Sequence, residues 1–281
     1  MGKYTKQDIV TMVAEEDVEF IRLQFVDIYG ILKNVAVTAS QLKRVLDNEL
    51  TFDCGAIEGF ENNNLSKLVF APDIDTFAIF PWRPQSDRVG RFICDVKNVD
   101  GTPFANDSRY ILKKVLKDAA KEGYYFNVGP ECEFFLFDLD EQGNPTTNTS
   151  EKGSYFDVGP VDKGENARRD MVLSLSDMGF EIETSYHSDE CAQHQIDFKY
   201  DSPLHTADNI LTFKLAVHTV ARMHGLHATF MPKPRAELNG SGMYIHITVY
   251  KDGNNIFAGG EDGNCSKEGY AFMAGLLNHL P

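Results

Sequence analysis

The stretch GPECEFFLF, residues 129–137, decides how this chain folds. Read as a strand, it places Glu131 and Glu133 on one face and Cys132 and Phe134 on the other. Two carboxylates two residues apart, set among aromatics, repel each other when ionised and dry. Two readings fit the pair: a wet strand end, or a hard divalent cation such as Mg²⁺ or Mn²⁺ that offsets the repulsion through oxygen ligands. Either way, the strand is buried on one side and charged on the other.

Outward from this strand, the chain alternates between strand and helix patterns. Towards the N-terminus, Thr5 with Asp8 makes a capping box for a short helix carrying Ile9, Val10 and Val13. EFIRLQFVDIYGILKNVAV reads as two strands around a turn at Tyr29-Gly30. Ser40 is the expected cap of a second helix with Leu42, Val45 and Leu46, followed by the Gly- and Asn-rich loop FDCGAIEGFENNNLSK. Strands DTFAIFPW and RFICDVKN precede VDGTPFAND, whose Gly and Pro mark a boundary near residue 105. Next comes the amphipathic SRYILKKVLKDAAKEG, with Ser108 as expected N-cap and Gly123 past its end.

Beyond the central strand, ENARRDMVLSLSDMG reads as a helix stopping at Gly179, then FEIETSYH and HQIDFKY as strands. ADNILTFKLAVHTVARMHG shows an apolar helical stripe at Ile210, Phe213, Val217 and Val220. MYIHITVYKDGNNIFAG reads as a hairpin turning on Asp252-Gly253. The closing GYAFMAGLLNHLP is an amphipathic helix broken by Pro281, which reads as a fold left unfinished. No internal repeat is seen.

Composition narrows the function classes. With 42% hydrophobic and 25% charged residues in 281, the chain has enough apolar material for one large domain or two ordinary ones. No apolar run approaches the roughly 20 residues needed to span a bilayer, and MGKYTKQDIV carries no apolar signal segment. A cytoplasmic location is therefore expected. A net charge of −15 argues against nucleic acid, whose binding rests on Lys and Arg neutralising phosphates. The five cysteines are an odd number, far apart and without a C-x-x-C spacing, so they read as reduced thiols.

Two further stretches carry polar chemistry. SYHSDECAQHQIDFKY, residues 185–200, puts two histidines, three acidic residues and a cysteine together, as a metal site would. KPRAELNGSGMYIHITV places Asn239-Gly-Ser-Gly242 before a strand whose Tyr244, His246 and Thr248 share one face. Small residues there allow a close backbone approach to a ligand, or simply make a turn.

In this order, IRLQFVDIYGILKNV, FD…IEGF, RFICDV…DGTPF, GPECEFFLF, YFDVGPVDKGENARRD, QHQIDFKY, HGLHATFMPKP and NGSGM resemble the glutamine synthetase family, in its bacterial type I form. The resemblance covers essentially the whole chain. It implies an α+β protein: an N-terminal β-grasp domain, residues 1–105, and a catalytic domain, residues 106–281, incomplete at its C-terminus and built on a curved antiparallel sheet. It also implies a homo-oligomer, a dodecamer of two stacked hexameric rings with active sites between neighbours. The implied reaction is ATP-dependent: glutamate becomes a γ-glutamyl phosphate that ammonia attacks, with two Mg²⁺ or Mn²⁺ ions organising the transfer.

Position by position, the resemblance implies that Glu131 and Glu133 are metal ligands, one to each ion. Asp53 would reach a neighbour's site to bind and deprotonate ammonium, and Tyr155 would line that pocket. Asn239 and Gly240 would hold glutamate; Glu183, Tyr200, His246 and Thr248 would contact the nucleotide.

The departures fall on the chemistry. The family's H-H-E-V-A-P-G-Q-H-E reads YHSDECAQHQ here, so Ser188 and Gln195 replace two glutamates that bind the first metal. Tyr244 replaces a histidine ligand of the second, and Ala56 replaces a serine near ammonium. The family's E-S-D after that loop reads Leu65-Ser66-Lys67. Asp189 and Glu190 are out of register with the missing glutamates, and His187 and His194 match residues the family does not use as ligands there. A unit-charge pair at about 4 Å is worth roughly 4 kcal/mol at an effective dielectric near 20, and a dication roughly doubles that. Losing two such ligands implies metal binding weakened by orders of magnitude. Two expectations follow: a ligase of this family with impaired turnover, or a non-catalytic paralogue acting as a binding or regulatory module.

Overall fold

The computed structural model describes residues 2–60, 67–260 and 264–280. Its first part is a five-stranded sheet ordered β2-β1-β5-β4-β3, made of β1 (Val18–Val26), β2 (Leu32–Thr38), β3 (Thr51–Asp53), β4 (Lys67–Ile79) and β5 (Arg88–Asn98). β1 and β5 run parallel at its centre and the other pairs are antiparallel. Phe25, Phe52, Phe60 and Phe70 cluster on one face, with Phe52 and Phe70 stacked at 4.4 Å. Helix α1 (Lys6–Glu15) covers this core with Ile9 and Val13, and α2 (Leu42–Leu46) with all of its apolar residues.

Local signals explain most of these boundaries. Thr5 and Asp8 form the reciprocal capping box expected of α1. The β1–β2 turn is fixed by Asp27, whose carboxylate accepts from the backbone N–H groups of Tyr29 and Ile31 at 2.9 Å. Ser40 does not cap α2. It lies within a 3₁₀ turn, residues 39–41, with its hydroxyl paired to that of Thr38 at 2.8 Å. Ser108 likewise lies one place inside α3 (Ser108–Lys121), because Asp107 takes the cap and accepts from the Arg109 N–H. A carboxylate is the stronger acceptor at that position.

The second part holds an antiparallel sheet ordered β11-β10-β6-β8-β7: β6 (Tyr124–Asp138), β7 (Ile182–His187), β8 (Gln193–Phe198), β10 (Met243–Lys251) and β11 (Asn254–Asn255). A short strand β9 (Leu226–Thr229) pairs with the far end of β6. Helices α4 (Glu165–Asp177) and α5 (Pro203–Met223) pack under one face, burying Met171, Leu175, Phe213, Val217 and Val220 against Cys132, Phe134, Ile196 and Phe198. Each such side chain contributes about 1.5–3 kcal/mol of hydrophobic transfer. Ile210 lies at the margin of this core, partly buried. The last helix, α6 (Lys267–Asn278), is capped by Ser266.

One polar network ties the two parts together. Arg109 of α3 reaches Asp73 of β4 at 2.8 Å, Asp95 of β5 at 2.6 Å and Asp208 of α5 at 2.7 Å, while Lys113 adds a second contact to Asp95 at 2.6 Å. Arg91 of β5 donates to the Thr212 hydroxyl of α5 at 3.0 Å. Arg109 and Asp208 are almost fully buried. Removing one partner of such a group strands an uncompensated charge. Arg109→Met is therefore expected to lower the unfolding free energy by about 3–5 kcal/mol in urea titrations. A loss below about 1 kcal/mol, the size of a surface pair, would show that the network is not the joint.

Candidate active site

The open face of the second sheet carries the polar residues of the central strand. Alternation along β6 sends Cys132, Phe134 and Leu136 into the helix-covered core, leaving Glu131 and Glu133 on the other face. The neighbouring strands then align a row. Tyr244 of β10 and Asp197 of β8 flank Glu131, and Gln195 of β8 flanks Glu133, with Tyr186 of β7 beyond it. Further along this face, Phe135 and Phe137 are sealed under Ala192 and Leu238.

Every carboxylate in the row is already engaged by the protein. Glu133 accepts from the Ser188 hydroxyl on Oε1, and on Oε2 from the Gly242 N–H at 2.5 Å and Gln193 Nε2 at 3.3 Å. Glu131 Oε1 pairs with His246 Nε2 at 2.7 Å. Asp197 accepts from the Thr184 hydroxyl and from Gln195 Nε2 at 2.8 Å. Burial, with Asp197, Tyr155, Glu131 and Glu133 close by, pushes the Tyr186 phenol up to about 12. Ser188, Gln195 and Tyr244 offer no charge to a divalent ion on this face, and both oxygens of Glu133 already accept protein donors, while only Oε1 of Glu131 does.

The other expected site residues distribute unevenly. Asn239 donates its N–H to Glu190 Oε1 at 3.0 Å, and the Gly240 carbonyl accepts at 3.2 Å from Gln193 Nε2, which also reaches Glu133. A Cβ on Gly240 would lie 2.5 Å from the Pro232 carbonyl oxygen, so glycine is required there by its own chain. Tyr155 stacks on Phe156 at 3.8 Å and meets Tyr186 edge-on at 5.9 Å, at the rim of the row. Tyr200 packs beside Gly129, Thr248 pairs across from Asn127, and Glu183 is exposed on β7. Asp53 lies in the other sheet, where its carboxylate accepts from the Gly55 N–H at 2.9 Å. Of the substituted triplet after that loop, Leu65 and Ser66 lie outside the described residues.

Sequence reading did not name Asp197 or Gln193 as site residues, and it named His187 and His194 without their buried partners Glu151 and Asp162. Glu151, Asp162, His187 and His194 bring ligand-type atoms within 4.8 Å of one another, as a metal centre would. Hydrogen bonds within the protein engage most of this group, leaving His194 Nε2 and Asp162 Oδ1 buried without a partner. His187 Nδ1 meets the Ser188 carbonyl at 2.8 Å and Nε2 meets the Glu151 carboxylate at 2.7 Å. Both partners only accept, so both nitrogens carry hydrogen and the ring is an imidazolium with no lone pair to give. Arg168 donates to Asp162 and to His194 Nδ1, each at 2.8 Å, which leaves the His194 proton on Nε2. Burial and Arg168 push His194 down to about 3. Two anions and two cations make the group neutral without a metal.

Three comparisons place this architecture. An α+β protein with a mixed N-terminal sheet and an acidic antiparallel sheet face is the class that the fold and site define. The family model for the glutamine synthetase catalytic domain matches residues 105–281, and that for its β-grasp domain residues 17–99; the chain belongs to the glutamine synthetase family. It is 56% identical over 281 residues to a glutamine synthetase of Clostridium saccharobutylicum and 50% identical over 278 residues to one of Staphylococcus aureus Mu50. It covers all or nearly all of itself in these matches but only 63% and 62% of the relatives' lengths. Among solved structures it resembles a GmaS–ADP complex, with TM-score 0.87 and 29% identity over 97% of this chain and 63% of that one. It shares the fold of Plasmodium falciparum glutamine synthetase, with TM-score 0.87 and 24% identity over 99% of this chain and 60% of that one. No helix among the described residues is long and apolar enough to cross a membrane.

The buried ion pair gives a pH signature. Burial alone would raise the Glu151 carboxyl, but hydrogen bonds from His187 and Ala192 and nearby positive charge hold it at about 2 against an ordinary 4.5. Its stabilisation is complete above pH 4.5 and is lost as pH falls toward 2. Burial would lower His187, yet the bond to Glu151 outweighs it and keeps the ring above its ordinary 6.5. That contribution is complete below pH 6.5 and is lost as pH rises through the raised value. In chemical unfolding, the stability gap between the native chain and Glu151→Gln is expected to be widest between pH 4.5 and 6.5 and to shrink on both sides. A gap constant from about pH 3 to 9 would contradict the assigned charges.

Proposed function

We propose that the chain carries the framework of an ATP-dependent glutamate–ammonia ligase and that turnover at its own site is impaired. The chain spans about 63% of the length of the relatives it matches, so activity, substrates and assembly are read from the family and from residues on this face. In this reading, Asn239 and Gly240 hold glutamate, anchored from behind by Glu190 and Gln193. Glu183, Tyr200, His246 and Thr248 line the nucleotide side of the sheet. Asp53 serves ammonium in a neighbouring subunit of a two-ring homo-oligomer, where it meets a neighbour's Tyr155. The γ-glutamyl phosphate would form over Glu131 and Glu133.

The observation that carries the impairment is the clasp on Glu133, whose two oxygens accept from Ser188, Gly242 and Gln193. Mg²⁺ or Mn²⁺ must compete with these donors and does so without the charges that Ser188 and Gln195 replace. A second reading, a non-catalytic paralogue that binds or regulates, draws on the pairing of His246 with Glu131. That pairing withdraws a nucleotide contact and a metal ligand together.

Calorimetry decides between retained and lost metal grip. Mn²⁺ binding without nucleotide is expected to be weaker than about 1 mM, roughly −4 kcal/mol. The double change Ser188→Glu with Gln195→Glu is expected to tighten it at least about tenfold, alongside a gain in γ-glutamyl transfer. Micromolar binding by the native chain would overturn the impairment. For assembly, sedimentation is expected to show an oligomer, and a clean monomer would count against ring formation by this chain.

A further inference from the structure

We propose that Glu151 is a positioning residue that sets the surroundings of Glu133 through the loop 188–193. The inference rests on the reading of the Glu131–Glu133 face as the working site. Glu151 touches neither of these residues. Its side chain is 5% exposed, and its carboxylate accepts four bonds. Oε1 takes His187 Nε2 at 2.7 Å and the Ala192 N–H at 2.5 Å; Oε2 takes the Lys163 N–H at 2.9 Å and the Gly164 N–H at 3.3 Å. A carboxylate has about four acceptor positions, so this one is full. Two segments distant in sequence meet on it: the β7–β8 connection, through His187 and Ala192, and the turn that opens α4, through Lys163 and Gly164.

The loop so held has a shape it would not keep unaided. Ser188 N–H bonds to the Gln193 carbonyl at 2.8 Å and Gln193 N–H to the Glu190 carbonyl at 3.0 Å, closing a tight turn. Ala192 sits within it at φ +64°, a left-handed conformation that costs a non-glycine residue on the order of 1 kcal/mol. The charge-assisted bond from its N–H to Glu151 offsets that cost. With the turn fixed, Ser188 and Gln193 both land on Glu133, while Gln193 and Glu190 hold Gly240 and Asn239.

The motif EKGSYFDVGPVDKGENARRD, residues 151–170, supplies much of this arrangement. Glu151, Asp162 and Arg168 supply its charges. Gly153 and Gly164 leave room for the rings, since a Cβ on either would lie 2.5 Å from His187 Nε2 or His194 Nε2. The dependence therefore runs from Glu151 to the loop, and from the loop to Glu133 and the Gly242 N–H.

Residue-resolved amide exchange on the full chain tests this order. In Glu151→Gln, the Ala192 amide is expected to exchange at least about tenfold faster, the worth of one charge-assisted bond. The Gly242 amide should accelerate with it, both by more than Phe92 and Val217, whose shared change reports the loss of global stability. Accelerated Ala192 with unchanged Gly242 would overturn the proposal and leave Glu151 a local brace. If Glu151→Gln does not fold, Gln193→Leu tests the same chain from its middle: Gly242 should lose protection while Ala192 keeps it. Loss at neither site, or at both, would overturn the proposal. Mn²⁺ calorimetry on Ser188→Glu with Gln195→Glu separates the two readings. Exchange as expected without a gain in Mn²⁺ affinity rejects the site, and a gain in affinity with Gly242 insensitive to Glu151→Gln rejects the positioning.

Discussion

Everything at the candidate site depends on β6 being paired on both edges. With β10 on one side and β8 on the other, its backbone is satisfied and its register is locked, so a shift by one residue would turn Phe134 outward and Glu133 into the core. The packing of Phe134 against Phe213 and Phe230 makes that shift prohibitive. Two charged side chains are thus held on an open face by the hydrophobic demands of the opposite one. Neighbouring strands, pinned in the same way, bring Asp197 and Tyr244 level with Glu131.

A row of neighbouring carboxylates has to be neutralised by something. Here the chain supplies its own donors: a hydroxyl, two side-chain amides, a backbone N–H, a threonine and a histidine. The buried group behind the row obeys the same rule, with His187 and Arg168 balancing Glu151 and Asp162.

The Arg109 network has a different task. It joins the N-terminal sheet to α5, which in turn supports β6 from below, through one guanidinium shared by three carboxylates, with Lys113 and the Arg91–Thr212 bond beside it. Its planar fork reaches all three at once, which a lysine ammonium could not do with the same geometry.

Much of this was readable along the chain. The capping box at Thr5, the alternation at Glu131–Phe134 and the stops at Gly123 and Gly179 are local, and each follows from backbone geometry within a few residues. The motif order marked the family, and the substitutions at Ser188, Gln195 and Tyr244 were visible as letters. Ser40 and Ser108 misled because a nearby residue offered the backbone a better-placed turn or acceptor. What only the tertiary structure decided is who partners whom: Glu151 with His187 across 36 residues, Glu133 with Ser188 across 55, Glu131 with His246 across 115. Sequence spacing carries the period of a strand or helix, which is a local property of the backbone. The sharing of protons among buried polar groups depends on distances set by packing, and packing is a property of the whole chain.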